Sequence, residues 1–203
     1  MLKNIIGGIS AGIMIAIGGC VYLSCDNKYI GAILFSVALL CICFKGYSLF
    51  TGKVGFMVEK RGKEEWSVLL LGLLGNAIAT VTLGFAASYA IPAVGEAALA
   101  ACSAKLTQAL PQTLIRAVFC GILMYLAVSI YREGKGIAGI LFCVPVFILS
   151  GFEHSIANMF YFAASSIRSL EAFGYLWTVI LGNALGGVLL PVLSLIGKEK
   201  ANG

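Results

Sequence analysis

The segment SGFEHSIANMF, residues 150–160, decides how the rest of the chain is organised, because it places the only histidine of the sequence beside a glutamate. Residues 136–167 carry no charged side chain apart from Glu153 and the neighbouring His154, and about 20 helical residues are enough to cross a bilayer. Gly151, just before the pair, suggests two half-helices that meet at a break near the middle of a membrane. An ionisable residue at that depth is costly and indicates a transport pathway. The alternative is a polar pair that only holds helices together.

The composition indicates an integral membrane protein. Of 203 residues, 60% are hydrophobic and 11% are charged, with a mean hydropathy of +0.99, whereas about 25% of the residues of a soluble domain are charged. The net charge of +5 lies in short connections and does not indicate a nucleic-acid partner. Seven cysteines show no CxxC pair, so we expect neither a metal site, a disulfide framework nor another cofactor.

Six membrane spans are predicted, at residues 5–23, 29–50, 66–91, 114–131, 136–167 and 172–196. The distribution of Lys and Arg predicts that both termini are cytoplasmic and that the protein lies in the inner (plasma) membrane of the cell. With that orientation, the inner cations are Lys3, Lys53, Lys60, Arg61, Lys63, Arg132, Lys135, Lys198 and Lys200. The outer cations are fewer: Lys28, Lys105, Arg116 and Arg168.

An internal repeat connects the two halves of the single transmembrane domain, residues 1–203. The motif LGNA occurs at residues 74–77 and again at residues 181–184, so Asn76 and Asn183 are 107 positions apart. Three spans followed by three similar ones run in opposite directions through the membrane, which predicts inverted repeats at roughly residues 1–93 and 105–198. Broken helices in such folds meet near the midplane. We therefore expect Thr51, at the irregular end of the second span, to face His154.

The segment GFEHSIANM, residues 151–159, resembles the signature of the formate/nitrite transporter family, and LFTG, residues 49–52, resembles the loop that interrupts the second helix of that family. The resemblance covers nearly the whole chain. It implies an all-α, aquaporin-like protomer with broken second and fifth helices, assembled as a homo-pentamer in which each protomer has its own pore.

The same resemblance implies roles for individual residues. Lys105 would attract anions at the base of the outer vestibule. The hydrophobic constrictions would be formed by Phe35, Leu39, Phe50 and Phe147. Without the resemblance, these four residues could equally belong to the core or face lipid, and Lys105 could be a solvated charge.

The sequence also departs from the family pattern. Lys53 stands where the family usually has the asparagine of Thr-Gly-Asn, and Cys120-Gly-Ile replaces a Cys-Asn-Trp run. Family members usually begin and end with amphipathic cytoplasmic helices, and we expect neither within these residues.

Protonating an anion costs less free energy than moving the bare ion through an apolar slit. A bare anion carries an idealised cost of tens of kcal/mol, whereas protonating a carboxylate with a pKa of roughly 4 at pH 7 costs roughly 4 kcal/mol. His154 suits the central role because a histidine with a reference pKa of about 6.5 exchanges protons near neutral pH. Thr51 would hydrogen-bond the ring or the substrate. Supporting roles fall to Glu153, Asn158, Asn76 and Asn183, the last two as hydrogen-bond partners between helices.

The sequence thus predicts a channel or proton-linked transporter in the lipid bilayer whose partners are protons and small monovalent weak-acid anions, such as formate, nitrite, hydrosulfide, acetate or lactate. The alternative is an aquaporin-like pore for water, glycerol or ammonia, although the Asn-Pro-Ala pairs of that fold are missing. An enzyme is not expected, because the sequence offers no second catalytic partner for the histidine.

Overall fold

The structure of the chain is a computed structural model that describes residues 1–60 and 62–201, with side chains described as far as Lys198. Arg61 and the side chain of Lys200, both counted above as inner cations, lie outside the described residues. The described residues form helices and no strand. The helices are α1 (Leu2–Ser24), α2 (Lys28–Lys45), α3 (Phe50–Lys53), a 3₁₀ helix (Val54–Val58), α4 (Lys63–Ala90), α5 (Pro92–Leu106), α6 (Leu110–Arg132), α7 (Ala138–Leu149), α8 (Ser155–Ser165) and α9 (Leu170–Ala201).

Five of these helices, α1, α2, α4, α6 and α9, are long and apolar enough to cross a membrane, and α7 is a shorter apolar helix. Large apolar side chains remain exposed along them, including Leu70, Phe142 and Leu185. Such a surface is favourable only against lipid or a neighbouring subunit. The prediction of an all-helical membrane protein is therefore confirmed.

Helix α5 is a difference from the sequence analysis, which left residues 92–106 in an outer connection. The segment is rich in alanine, and Pro92 occupies the first turn, where its missing N–H costs nothing. The helix packs on α8 and places Lys105 in its last turn. Lys105, expected in an outer connection, therefore lies on a helix that packs against the centre of the molecule.

Close helix packing depends on glycine at two equivalent interfaces. Helix α1 packs along α4, and α6 packs along α9 in the same way. A Cβ atom on Gly75 would overlap the backbone of α1, and one on Gly186 would overlap the carbonyl group of Val118 in α6. Small residues of this kind allow helix backbones to approach closely in lipid.

The interruptions after α2 and α7 have the same backbone geometry. Gly46 and Gly151 adopt left-handed conformations with φ of 68° and 67°. The next amide donates a hydrogen bond back across the turn in both cases, from Tyr47 to the carbonyl of Ile42 (3.0 Å) and from Phe152 to the carbonyl of Phe147 (2.9 Å). This is the Schellman arrangement that glycine favours. The two turns are 105 residues apart in the chain, and each is followed by a new short helix.

Candidate functional site

A histidine and a threonine meet at the centre of the molecule, where the two interruptions come together. Thr51 lies on α3, His154 directly precedes α8, and the Thr51 Oγ1 and His154 Nε2 atoms are 2.9 Å apart. Their exposed fractions are 0% and 2%. The structure thus brings together the two residues that the sequence repeat predicts to face each other.

The backbone of α8 holds the imidazole ring in one orientation. His154 is the N-cap residue of α8, and the Ala157 backbone N–H donates to His154 Nδ1 at 3.1 Å. Since Nδ1 accepts this hydrogen bond, a neutral ring carries its proton on Nε2. The Nε2–H group therefore points at Thr51. A histidine used as a helix cap in this way offers one defined donor to the site.

Aromatic and aliphatic side chains surround the pair. The Phe147 ring stacks on the His154 ring, with centroids 5.5 Å apart and planes 21° apart. The Phe35 ring meets Phe147 edge-on at 6.3 Å. All four predicted constriction residues are buried, including Leu39 and Phe50. We call these four buried side chains, Phe35, Leu39, Phe50 and Phe147, the apolar layer.

A cavity of about 220 Å³ leads to this centre from the side of Lys105. The Lys105 ammonium lies 2.6 Å from the Glu153 carboxylate, which also accepts from Asn158 Nδ2 at 2.9 Å and from Gln108 Nε2 at 3.3 Å. Glu153 is 1% exposed. The predicted vestibule lysine is therefore paired with the glutamate of the signature. The Asn158 side chain supports that pair, while its backbone N–H donates to the carbonyl of His154 at 2.9 Å.

Two residues that line this cavity were missed by sequence reasoning, namely Gln108 and Arg116. Arg116 was counted only as an outer charge. Its backbone carbonyl accepts from the Glu153 N–H at 3.3 Å, and no carboxylate among the described residues lies within 4 Å of its guanidinium. A single sequence offers no signal for either residue, because their positions depend on helix α5 and on the break before α8.

Asn76 and Asn183 hold the two short helices in equivalent ways. The Asn76 side chain accepts from the Phe50 N–H at 3.0 Å and donates to the carbonyls of Gly8 (2.8 Å) and Ser48 (2.9 Å). Both asparagines are fully buried.

The Asn183 side chain repeats the pattern with the second short helix. It accepts from the Ser155 N–H at 2.8 Å and donates to the carbonyls of Ala117 and Glu153, both at 2.8 Å. Each asparagine thus satisfies the first N–H of a short helix and ties it to a long one. Both N–H groups of each side-chain amide are therefore used, and neither asparagine has a donor left for an anionic substrate.

The described residues contain no group of three or more His, Cys, Asp or Glu side chains that could hold a metal ion. A polar contact enclosed by apolar rings and reached from a cavity, within a bundle of membrane-spanning length, defines a membrane channel or transporter. The sequence model described as "Formate/nitrite transporter" matches residues 1–196. The chain belongs to the formate/nitrite transporter family.

Individual relatives agree with this assignment. The nitrite transporter NirC of Salmonella typhimurium is 31% identical over 176 residues, covering 76% of this chain and 65% of NirC. Formate-nitrite transporter 2 of Toxoplasma gondii is 30% identical over 186 residues, covering 81% of this chain and 40% of the relative. The formate channel FocA of Escherichia coli is 28% identical, covering 88% and 72%. The chain thus spans 65% and 40% of the length of the first two relatives.

Two solved structures are similar over almost the whole chain. An "FNT family ion channel" superimposes with a TM-score of 0.81 at 26% identity, covering 97% of this chain and 90% of that one. A "Pentameric formate channel with formate bound" superimposes with a TM-score of 0.76 at 24% identity, covering 96% and 95%. The second likeness is one of fold alone.

Proposed function

We propose that this protein conducts small monovalent weak-acid anions, of the formate, nitrite and hydrosulfide class, and that they pass the centre of the membrane in neutral, protonated form. The observation that carries the proposal is the hydrogen bond between Thr51 and His154, enclosed by Phe35 and Phe147. Acetate and lactate belong to the same class. Relatives are named as formate or nitrite transporters and channels, which supports this choice of substrates.

The proposed topology has six crossings in two inverted repeats, roughly residues 1–93 and 105–198. Helix α2 with α3 would form one broken crossing, and α7 with α8 would form the other. Support comes from the two glycine turns 105 residues apart and from the matching hydrogen bonds of Asn76 and Asn183. Both termini are then cytoplasmic, in the inner (plasma) membrane. A homo-pentamer is proposed because one structural neighbour is titled a pentameric channel.

The hydrogen bonds of His154 suggest how protonation occurs. Because Nδ1 accepts from the Ala157 N–H, the ring is held as a neutral Nε2–H donor. Giving up that proton outright would leave an imidazolate, which is far too basic to persist. We therefore infer that the proton added to the anion comes from the bulk solution outside and is relayed through water in the outer cavity, so that one proton is taken up with each anion. His154 would orient the acid by donating its Nε2–H, the same group that contacts the Thr51 hydroxyl in this structure.

The outer cavity concentrates anions only modestly in this scheme. The charges of Lys105 and Glu153 largely cancel at 2.6 Å, so the pair acts as a dipole at the mouth. Arg116 supplies a further positive charge in the same cavity. A weak net attraction suits a channel, because an anion that binds tightly leaves slowly.

Uptake into liposomes tests the proposal. Purified protein should take up formate, nitrite and hydrosulfide, and the rate at a fixed total concentration should rise by up to about tenfold per unit fall in external pH, following the neutral fraction of the acid. Chloride should not be taken up, because its acid stays ionised. Equal chloride flux would refute passage in neutral form, and glycerol flux without anion flux would indicate an aquaporin-like pore instead.

Two substitutions separate the possible roles of the histidine. His154→Ala removes the ring and should abolish most of the weak-acid flux. His154→Gln retains an N–H donor near the Nε2 position but cannot titrate near neutral pH. If His154 acts as a donor, the glutamine variant keeps part of the flux and its pH dependence. If both variants are equally inactive, the donor role is wrong and titration of the ring is required.

A further inference from the structure

A second, larger cavity lies on the opposite side of the apolar layer from the Lys105 cavity. Its volume is about 430 Å³, and its lining includes Leu39 from the constriction and Gly52, which directly follows Thr51. The outer cavity instead includes Phe147 and His154. The two cavities therefore approach the same centre from its two faces. In the proposed topology the larger one opens to the cytoplasm.

Three basic residues line this inner cavity, namely Lys53, Lys60 and Arg132, and the first and last of them are each held in place by a neighbour. Lys53 is half-buried, and its ammonium donates to Ser48 Oγ at 3.3 Å. The guanidinium carbon of Arg132 lies 4.1 Å from the centroid of the Phe56 ring. Stacking uses the face of a guanidinium and leaves its N–H edge free to bind an anion.

Neither Lys53 nor Arg132 is ion-paired with any carboxylate of the described residues. The ion pairs within the described chain are Lys105 with Glu153 and Lys135 with Glu133. Glu64 and Glu65 line the inner cavity, yet they do not come within 4 Å of either cation. The outer lysine is neutralised at 2.6 Å, whereas the inner pair is not. Cations that line a cleft without a paired carboxylate raise the local concentration of anions.

We propose that Lys53 and Arg132 form an inner anion-binding site, beneath Thr51, for a small oxyanion with one negative charge. A carboxylate or nitrite matches two cationic donors, because its charge is shared between two oxygens. The two glutamates in the lining disfavour anions of higher charge. The proposal rests on the proposed function for its place on the conduction path, where the site would hold the anion before entry or after release on the cytoplasmic side.

The test uses a thiol already present in the cavity. Cys43 lines the inner cavity and is a free, half-buried cysteine. In detergent-solubilised protein carrying Cys41→Ser, the rates at which an anionic and a neutral methanethiosulfonate reagent modify Cys43 are measured by mass spectrometry. Their ratio reports the local electrostatic potential, because the reactivity of the thiol cancels. Formate at increasing concentration is the probe ligand, and gluconate, a bulkier carboxylate at the same concentration, controls for ionic strength.

Matched variants test whether Lys53 and Arg132 produce the local electrostatic potential at Cys43. Removing one unit charge about 5 Å from the anion should lower the rate ratio by about fourfold or more in Lys53→Gln and in Arg132→Gln. Lys198→Gln removes the same charge from an exposed position outside the cavity and should leave the ratio unchanged. Formate should lower the ratio of the unsubstituted protein more than gluconate does. If Lys53→Gln behaves like Lys198→Gln, or if formate acts no more strongly than gluconate, the site does not exist.

A flux measurement then places the site on the conduction path. In vesicles of defined orientation, Lys53→Gln should raise the half-saturating formate concentration about fourfold from the inner face and leave it unchanged from the outer face. Equal shifts from both faces would overturn the assignment to the inner mouth. The labelling readout needs no flux, so a protein that passes no weak acid but still shows formate-dependent labelling would refute the proposed function and leave the inner site standing.

Discussion

Truncating Asn76 or Asn183 should destabilise the protein by similar amounts, because the two side chains make equivalent hydrogen bonds 107 residues apart. Each Asn→Ala substitution leaves one backbone N–H and two carbonyl groups without their partner inside the bundle. At about 1 kcal/mol per buried group the loss is about 3 kcal/mol. Hydrogen bonds measured between membrane helices average about 0.6 kcal/mol, which lowers the sum to about 2 kcal/mol.

Asn4 provides a matched control within the same chain. Its side chain donates one partly buried hydrogen bond, to Ser67 Oγ at 3.1 Å. Asn4→Ala should therefore cost less than about 1 kcal/mol. Equilibrium unfolding in mixed micelles with increasing sodium dodecyl sulfate, followed by circular dichroism, gives the free energy for each variant.

The expected order of stability is unsubstituted protein, then Asn4→Ala, then Asn76→Ala and Asn183→Ala together. The two large losses should agree to within about 1 kcal/mol, since each rests on three hydrogen bonds of 2.8–3.0 Å. If Asn183→Ala costs no more than Asn4→Ala, the short helices are held by packing alone. That result would refute the reasoning that the asparagines fix the site.

Three further substitutions address single contacts. Thr51→Val removes the 2.9 Å hydrogen bond at nearly constant volume and should lower weak-acid uptake by liposomes about tenfold. Thr51→Ser keeps a hydroxyl and should retain the uptake rate. Equal uptake by the valine and serine variants would show that the hydroxyl is not used. Glu153→Gln leaves the Lys105 ammonium without its partner and should lower the free energy of unfolding by about 3 kcal/mol. Most of this loss should be recovered in the double variant Glu153→Gln/Lys105→Met. No recovery would mean that the loss of stability does not come from the broken ion pair. Gly151→Ala should cost about 1 kcal/mol because φ is 67°, whereas Gly197→Ala, in open space on α9, should be neutral or stabilising in the same unfolding measurement.

The membrane-spanning helices could be predicted because length and apolar composition decide them directly. The meeting of Thr51 and His154 could also be predicted, since the two irregular spans and the LGNA repeat together suggested an inverted arrangement. Asn76 and Asn183 were predicted to bond between helices because polar side chains in membrane helices commonly do so, and both donate to carbonyls of neighbouring helices.

Helix α5 and its consequences could not be predicted from the sequence alone. Residues 92–106 are short, contain Glu96 and Lys105, and lack an amphipathic pattern that would indicate a packed helix. The pairing of Lys105 with Glu153 joins positions 48 residues apart, and no local spacing indicates it. The tautomer of His154 likewise depends on the backbone N–H of Ala157, which becomes available only because α8 begins where it does.

The two glycine turns have the same backbone geometry, but the side chains that follow them differ. At the offset of 105 residues that relates Gly46 to Gly151, the equivalent of His154 is Leu49. Both are extended residues that directly precede a short helix, with φ and ψ of −106° and 115° for His154 and −89° and 124° for Leu49. A second imidazole at position 49 would add another costly ionisable group at membrane depth without adding a second weak-acid step. The leucine keeps this side of the site apolar, and Lys53, at the end of α3, is the charged residue nearest to Thr51 along the chain.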